Sequence, residues 1–178
     1  TINAYHKNSS IITLECSITA SSLKSNKIYY LLIHDMSKLE DATEHINNIA
    51  YYDSLTNIPN RRLFFDRFNI GISQAERLNH KLGILYIDID GFKHINDTMG
   101  HESGDLLLVK FSERLKNCIR DSDTVARIGG DEFAILMLNV ESASSLLILI
   151  NRILQRNQST VTIGNDAVQI SCSIGMSM

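Results

Sequence analysis

Val125-Ala126-Arg127-Ile128-Gly129-Gly130-Asp131-Glu132-Phe133-Ala134-Ile135-Leu136 is the stretch that decides the fold. Two apolar runs flank a Gly-Gly pair and two adjacent carboxylates. Gly-Gly between β-type runs predicts a tight hairpin, because glycine accepts the positive φ of primed turns. The carboxylates then sit at or just after the turn tip, where a hard cation is the best reason for them. A second stretch complements the first. Leu82-Gly83-Ile84-Leu85-Tyr86-Ile87-Asp88-Ile89-Asp90 is nearly continuously apolar and reads as a strand buried on both faces. Asp88 and Asp90 close it and are expected on opposite sides, so that one of them faces Asp131 if the strand lies beside the hairpin. Two carboxylates and a backbone carbonyl suit Mg²⁺, which takes its other ligands from water and phosphate. Taken alone, acids at strand ends are more often simply solvated.

The chain has 178 residues, enough for one domain and part of another. Its net charge of -3 gives no argument for nucleic acid or an anionic membrane as partner. No apolar run approaches the roughly 18 residues of a membrane span, and no signal peptide opens the chain. Cys16, Cys118 and Cys172 are odd in number and form no CxxC, so reduced thiols and a cytoplasmic setting are the default, although a parent could be anchored upstream. A start at Thr1 is expected of a piece of something longer.

Residues 1 to about 35 alternate in β fashion. Ile11–Thr19 and Ile28–Asp35 are expected as strands around a polar break from Ser21 to Lys27, the remnant of a larger sheet. Met36, Leu39, Ala42, Ile46 and Ile49 recur at spacings of three and four, which predicts a linker helix over 36–50 with one apolar stripe. That stripe fits a two-stranded coil between protomers or packing on its own domain. Asn57 tolerates left-handed backbone, and Pro59 suits a helix start. A helix is expected through about Leu78, with Arg61 and Arg62 pairing carboxylates. Gly91–His101 lacks periodicity. Helices follow over about Ser103–Ile119 and Ser142–Arg156, the latter well buried. Strands are expected over Thr124–Ile128 and Glu132–Leu138, with a last hairpin of Val161–Ile163 and Val168–Ile174. The interleaving predicts an α+β sandwich around a central mixed sheet flanked by helices.

Five blocks stand together in one order: Asp53-Ser54-Leu55-Thr56-Asn57-Ile58-Pro59-Asn60-Arg61-Arg62, Asp88-Ile89-Asp90-Gly91-Phe92-Lys93-His94-Ile95-Asn96-Asp97, Gly100-His101-Glu102-Ser103-Gly104-Asp105, Ala126-Arg127-Ile128-Gly129-Gly130-Asp131-Glu132-Phe133 and Ser173-Ile174-Gly175. Each block alone is weak, but the ordered set resembles the GGDEF family, the diguanylate cyclases, over about residues 50–178. The resemblance implies a five-stranded palm-like sheet related to nucleotidyl cyclases. It also implies Mg²⁺- or Mn²⁺-dependent condensation of two GTP to cyclic di-GMP and pyrophosphate by a homodimer. It assigns Asp88, Asp131 and the Ile89 carbonyl to the metal, and Asp131 or Glu132 to deprotonation of the 3′-hydroxyl. Asn96 and Asp105 match a guanine-reading pair, Lys93 a phosphate-binding lysine, and His101 a residue lining the nucleotide. Gly129 and Gly130 admit phosphate close to the backbone. Arg120 and Asp123, in an RxxD five residues before Gly129, match a product-inhibition site. Residues 1–35 resemble the last strands of a PAS sensor domain. Residues 51–178 then form a GGDEF domain without its C-terminal portion, where the family carries a basic pair for the triphosphate. The alternatives are a degenerate module that binds GTP or cyclic di-GMP, a bifunctional protein with a phosphodiesterase domain beyond Met178, and, less favoured, another palm-like cyclase or polymerase.

Overall fold

The computed structural model describes residues 2–5, 11–23, 26–36, 48–164 and 166–178. The chain divides into two units, Thr1–Asn48 and Ile49–Met178. In the first unit β1 (Ile2–Tyr5), β2 (Ile11–Leu23) and β3 (Asn26–Asp35) pair antiparallel in that order. The polar break expected from Ser21 to Lys27 is corrected, since Ser21 pairs with Ile28, Ser22 with Lys27 and Leu23 with Asn26. Ladder hydrogen bonds belong to the backbone, so polar side chains on solvated strands do not interrupt them. Tyr29, Tyr30, Leu31, Leu32 and Ile33 are all exposed, on both faces of β3. Most of the predicted linker helix lies outside the described residues; residues 48–51 are helical.

The second unit contains α1 (Arg61–Leu78), β4 (Lys81–Ile89), α2 (Phe92–Met99), α3 (His101–Lys116), β5 (Thr124–Gly129), β6 (Glu132–Val140), α4 (Ala143–Asn157), β7 (Val161–Ile163), β8 (Asp166–Val168) and β9 (Cys172–Ser177). Its main sheet has the order β5-β6-β4-β9. The α+β class is as expected. All three strand pairings in this sheet are antiparallel, and the parallel part of the expected mixed sheet reduces to one bridge, Asn60 to Arg127. Among the described residues the sheet has four strands rather than five. β7 and β8 form a separate two-stranded sheet, and the strand expected from Val168 to Ile174 is broken, so that β9 leaves the hairpin and pairs with β4.

One face of the sheet buries Leu85, Ile87, Ile89, Phe133 and Ile135 against α3 and α4. Phe111 meets Phe133 edge to face at 5.2 Å, and Leu85, Ile87, Leu107 and Phe111 are wholly buried, each worth about 2 kcal/mol in removed apolar surface. The opposite face packs Ala126, Ala134, Leu136 and Ile84 against Phe64 and Phe68 of α1. That second layer covers only one end of β4. Tyr86 and Asp88 lie beyond it and are exposed, so β4 is buried on both faces only in its first half. α4 is likewise one-sided: Leu146, Leu149 and Ile153 are buried, whereas Leu147 and Ile148 are exposed. Gly83 lets α4 approach, since a Cβ there would meet Leu146 at 3.0 Å.

α1 begins at Arg61 rather than at Pro59. Asn60 caps it, its Oδ1 accepting from the Leu63 N–H at 3.1 Å. Pro59 instead lends its carbonyl to the Arg127 N–H at 2.9 Å. Asn57 has the expected left-handed φ of 54°. The segment expected to lack periodicity contains α2, whose Phe92, Ile95 and Met99 pack on the core. Arg61 and Arg62 lie over the rings of Phe65 and Tyr51, at 5.7 and 5.0 Å, instead of pairing carboxylates.

Candidate active site

The β5–β6 hairpin carries the first half of the site. Gly129 pairs with Glu132, so the two turn residues are Gly130 and Asp131. Gly130 alone of these has positive φ, 49°, the φ pattern of a II′ turn. Asp131 is thus in the turn and Glu132 opens β6. Arg127 holds this turn, its Nε donating to the Gly130 carbonyl at 2.8 Å. The same guanidinium pairs with Asp53, Nη1 to Oδ1 at 3.0 Å. Burial raises the Asp53 carboxyl, but the Thr56 hydroxyl and N–H and the Arg127 guanidinium outweigh it, leaving Asp53 below the ordinary carboxylate range.

β4 lies beside the hairpin and brings the second half. Asp88 stands opposite Glu132 in the ladder, and the Ile89 N–H donates to the Asp131 carbonyl at 3.4 Å. Asp88, Asp131 and Glu132 therefore converge. Asp90 does not lie on the far side: strand alternation has a period of two, so Asp88 and Asp90 share a side. Asp90 accepts from the Ser173 hydroxyl at 2.7 Å, and Ser173 stands opposite Asp88. Desolvation, then the like charges of Asp131, Glu132 and Asp90, raise the Asp88 carboxyl above its ordinary value.

That crowding of negative charge suits a cation. A divalent ion would relieve the repulsion that lifts Asp88, and hard carboxylate oxygens with a carbonyl suit Mg²⁺ or Mn²⁺. Among the described residues no three His, Cys, Asp or Glu side chains are grouped tightly enough to hold a metal by themselves. The expected set of Asp88, Asp131 and the Ile89 carbonyl asks for two side chains and leaves other positions to water and substrate.

α2 starts directly after Asp90, with Gly91 in the left-handed region, no side-chain cap and no acid in its first turn. Its leading N–H groups are thus left for an anion. Lys93 lies exposed in that turn, and His101 is exposed at the start of α3. No atom stands within 4 Å of a Cβ built on Gly129 or Gly130, so space is open beside both. Asn96 of α2 meets Gly104 of α3, where an added Cβ would collide with Asn96 Oδ1. That oxygen is buried with no hydrogen-bond partner. Asp105 follows Gly104 and is exposed. An orphan acceptor of this kind is what the N–H edge of a base would satisfy.

Arg120 and Asp123 lie elsewhere. The Arg120 N–H donates to Asp123 Oδ2 at 3.2 Å, and the Asp123 N–H returns a bond to the Arg120 carbonyl at 3.0 Å. Both line a cavity of about 210 Å³ that also receives Arg152 of α4. The sequence reading missed Arg152, because no local pattern ties it to a motif thirty residues upstream. It also missed the Asp53–Arg127 pair.

The family model described as "Diguanylate cyclase, GGDEF domain" matches residues 50–178. The chain is 37% identical over 142 residues to the bifunctional diguanylate cyclase/cyclic di-GMP phosphodiesterase MucR of Pseudomonas aeruginosa, covering 80% of this chain and 21% of MucR. The GGDEF-domain structure of TpbB (YfiN) from the same species aligns with TM-score 0.69 and 38% identity, over 71% of this chain and 74% of that one. The coiled coil and GGDEF domain of DgcB from Caulobacter crescentus, in complex with c-di-GMP, aligns with TM-score 0.72 and 26% identity, over 78% of this chain and 74% of that one. The chain spans a fifth to a third of the length of the first curated relatives it matches.

Proposed function

The chain belongs to the GGDEF family of diguanylate cyclases, and we propose that it condenses two GTP to cyclic di-GMP and pyrophosphate. The observation that carries this reading is the convergence of Asp88, Asp131 and Glu132 at the junction of β4 and the β5–β6 turn. Asp88, Asp131 and the Ile89 carbonyl would hold Mg²⁺ or Mn²⁺. When bound, the ion screens the triphosphate and lowers the barrier to attack at the α-phosphorus.

The protein's own groups do the rest. Asp131 or Glu132 accepts the proton of the attacking 3′-hydroxyl. The first N–H groups of α2 and Lys93 bind phosphate oxygens, and the open side of Gly129-Gly130 admits them close to the backbone. Asn96 Oδ1 and the Asp105 carboxylate accept from the guanine amine and N1–H. Adenine offers no such pair of donors, and an unpaired buried acceptor costs about 1–3 kcal/mol. His101 lines the nucleotide. One site holds one GTP, so condensation needs two protomers face to face.

Arg120, Asp123 and Arg152 share a cavity suited to an anionic guanine nucleotide, which supports feedback binding of cyclic di-GMP. Residues 1–35 we read as the end of a PAS-like sensor, 36–50 as the helical linker and 51–178 as the cyclase domain. No described helix is long and apolar enough to cross a membrane, and we place the domain in the cytoplasm, where GTP is available. The second reading is a regulatory GGDEF module that binds nucleotide beside a phosphodiesterase domain; similarity to proteins named only as cyclic di-GMP phosphodiesterases favours it. Incubation of the full-length protein with GTP and Mg²⁺, wild type against Asp131→Ala, separates the two. Cyclic di-GMP from wild type alone supports the cyclase. Product from neither variant leaves the regulatory module, and product from both removes Asp131 from the chemistry.

A further inference from the structure

We infer that Ser173 is a positioning residue: its hydroxyl holds the Asp90 carboxylate on the β9 side of β4, out of the cation site formed by Asp88 and Asp131. The inference rests on the cyclase reading above. Ser173 Oγ donates to Asp90 Oδ1 at 2.7 Å. Strand register explains why these two meet. In the β4–β9 ladder Asp88 is opposite Ser173 and Ile89 is opposite Cys172. The Asp90 N–H donates to the Ser171 carbonyl at 3.0 Å, which carries the pairing one residue past the end of β4. Asp90 and Ser173 are therefore diagonal neighbours on one face, about 7–8 Å apart at the backbone, a span that their side chains close. The other flank offers Asp90 a different place. There Glu132 is opposite Asp88, and the Ile89 N–H donates to the Asp131 carbonyl. Continuing that register sets Gly130 opposite Asp90, and no atom stands within 4 Å of a Cβ built on Gly130. A carboxylate turned to that side enters open space beside Asp88, Asp131 and Glu132.

The plain alternative is an ordinary contact at a sheet edge. β9 is the edge strand and both side chains are exposed. Water would serve this donor and acceptor nearly as well, so the bond adds little stability. Its weight lies in direction. Asp88 and Asp90 are two residues apart and leave the same face, so Asp88, Asp90, Asp131 and Glu132 all stand around one junction. Among the described residues no three acidic side chains are nonetheless gathered into a group that would hold a metal by itself. Tying one carboxylate to Ser173 keeps the site open in this way. Mg²⁺ is held by one or two carboxylates together with substrate phosphates. A third carboxylate would bind the bare ion more tightly, by adding charge and an oxygen, and would fill a position that a phosphate oxygen must take. Ser173 thus favours the ion that arrives with nucleotide over the ion alone.

The test compares full-length wild type, Ser173→Ala, Asp90→Asn and the double variant. Ser173→Thr and Ser173→Val join them as a pair of nearly equal shape that differ in the hydroxyl. Mn²⁺ binding without nucleotide is measured by electron paramagnetic resonance, and cyclic di-GMP formation is measured against GTP concentration. Ser173→Ala is expected to bind Mn²⁺ about 10-fold more tightly and to lose about 10-fold in kcat/KM. A site that had merely loosened would bind the ion more weakly, so the gain in affinity separates positioning from a structural role. The double variant should match Asp90→Asn in both readouts, because without the carboxylate the hydroxyl has nothing to hold. Ser173→Thr should match wild type and Ser173→Val should match Ser173→Ala; this pair decides should Ser173→Ala not fold. Unchanged or weaker Mn²⁺ binding in Ser173→Ala overturns the assignment, as does an effect of Ser173→Ala that survives in the Asp90→Asn background. An active wild type with either of those results refutes the positioning role alone. A wild type that binds Mn²⁺ without forming product refutes the cyclase reading, and the affinity series still decides the role of Ser173. A wild type that neither binds Mn²⁺ nor forms product refutes both.

Discussion

Asp53→Asn tests the joint that ties the catalytic turn to the rest of its domain. Asp53 Oδ1 accepts from the Thr56 N–H at 2.9 Å, the Thr56 hydroxyl at 2.6 Å and Arg127 Nη1 at 3.0 Å. Asparagine keeps an acceptor for Thr56 but removes the charge facing Arg127. A hydrogen bond to a charged group contributes about 1.5–3 kcal/mol. The Arg127 and Asp53 side chains are 14% and 22% exposed, so solvent screens part of this and the expected loss is about 1–2 kcal/mol. At this domain size that is roughly 3–8 °C in Tm. The pH dependence adds a sign. Asp53 is held below its ordinary value in the folded protein, so its contribution is present above the unfolded value of about 3.9 and fades as pH falls through the folded value. Urea unfolding of wild type and variant, followed by circular dichroism, should show the gap at pH 7 and a smaller one at pH 3. A gap below about 0.3 kcal/mol at pH 7, within the scatter of surface changes, refutes the argument. So does a gap that persists unchanged in acid.

Asp88→Asn removes a carboxylate raised in the folded state by desolvation and then by its like-charged neighbours. In the absence of divalent ions it should raise the urea midpoint at pH 7, and this gain should vanish as acid protonates the wild-type group; added Mn²⁺ should stabilise wild type but not the variant. Gly104→Ala forces Asn96 Oδ1 aside and should reduce discrimination of GTP over ATP, read from competition binding, at a stability cost of about 1–3 kcal/mol. Asn60→Ala deletes the α1 cap and the Nδ2 bond to the Ala50 carbonyl at 3.0 Å, which should cost about 1–2 kcal/mol by urea titration. Arg152→Ala should weaken cyclic di-GMP binding by calorimetry in parallel with Arg120→Ala, since both line one cavity.

What the sequence determined by itself was local or motif-borne. The hairpin around Gly130, the left-handed Asn57 and the apolar stripes of α1, α3 and α4 follow from turn chemistry and side-chain period, which need no distant partner. The ordered blocks named the family, and the acids they marked do meet at one junction. α2 went unread, although Phe92, Ile95 and Met99 keep helical spacing inside a polar segment. Tertiary structure alone decided the rest. Only strand order puts β9 beside β4, and so Gly175 beside Tyr86 and Ser173 beside Asp88. Only the length of the α1 layer leaves the end of β4 open, turning an apolar run into a half-exposed strand with a charged tip. Only packing of α4 brings Arg152 to Arg120, and only the fold sets Asp53 against Arg127 across 74 positions. Such contacts join residues far apart in the chain, so they arise from pairing and packing of whole elements, whose choice no short window of sequence contains.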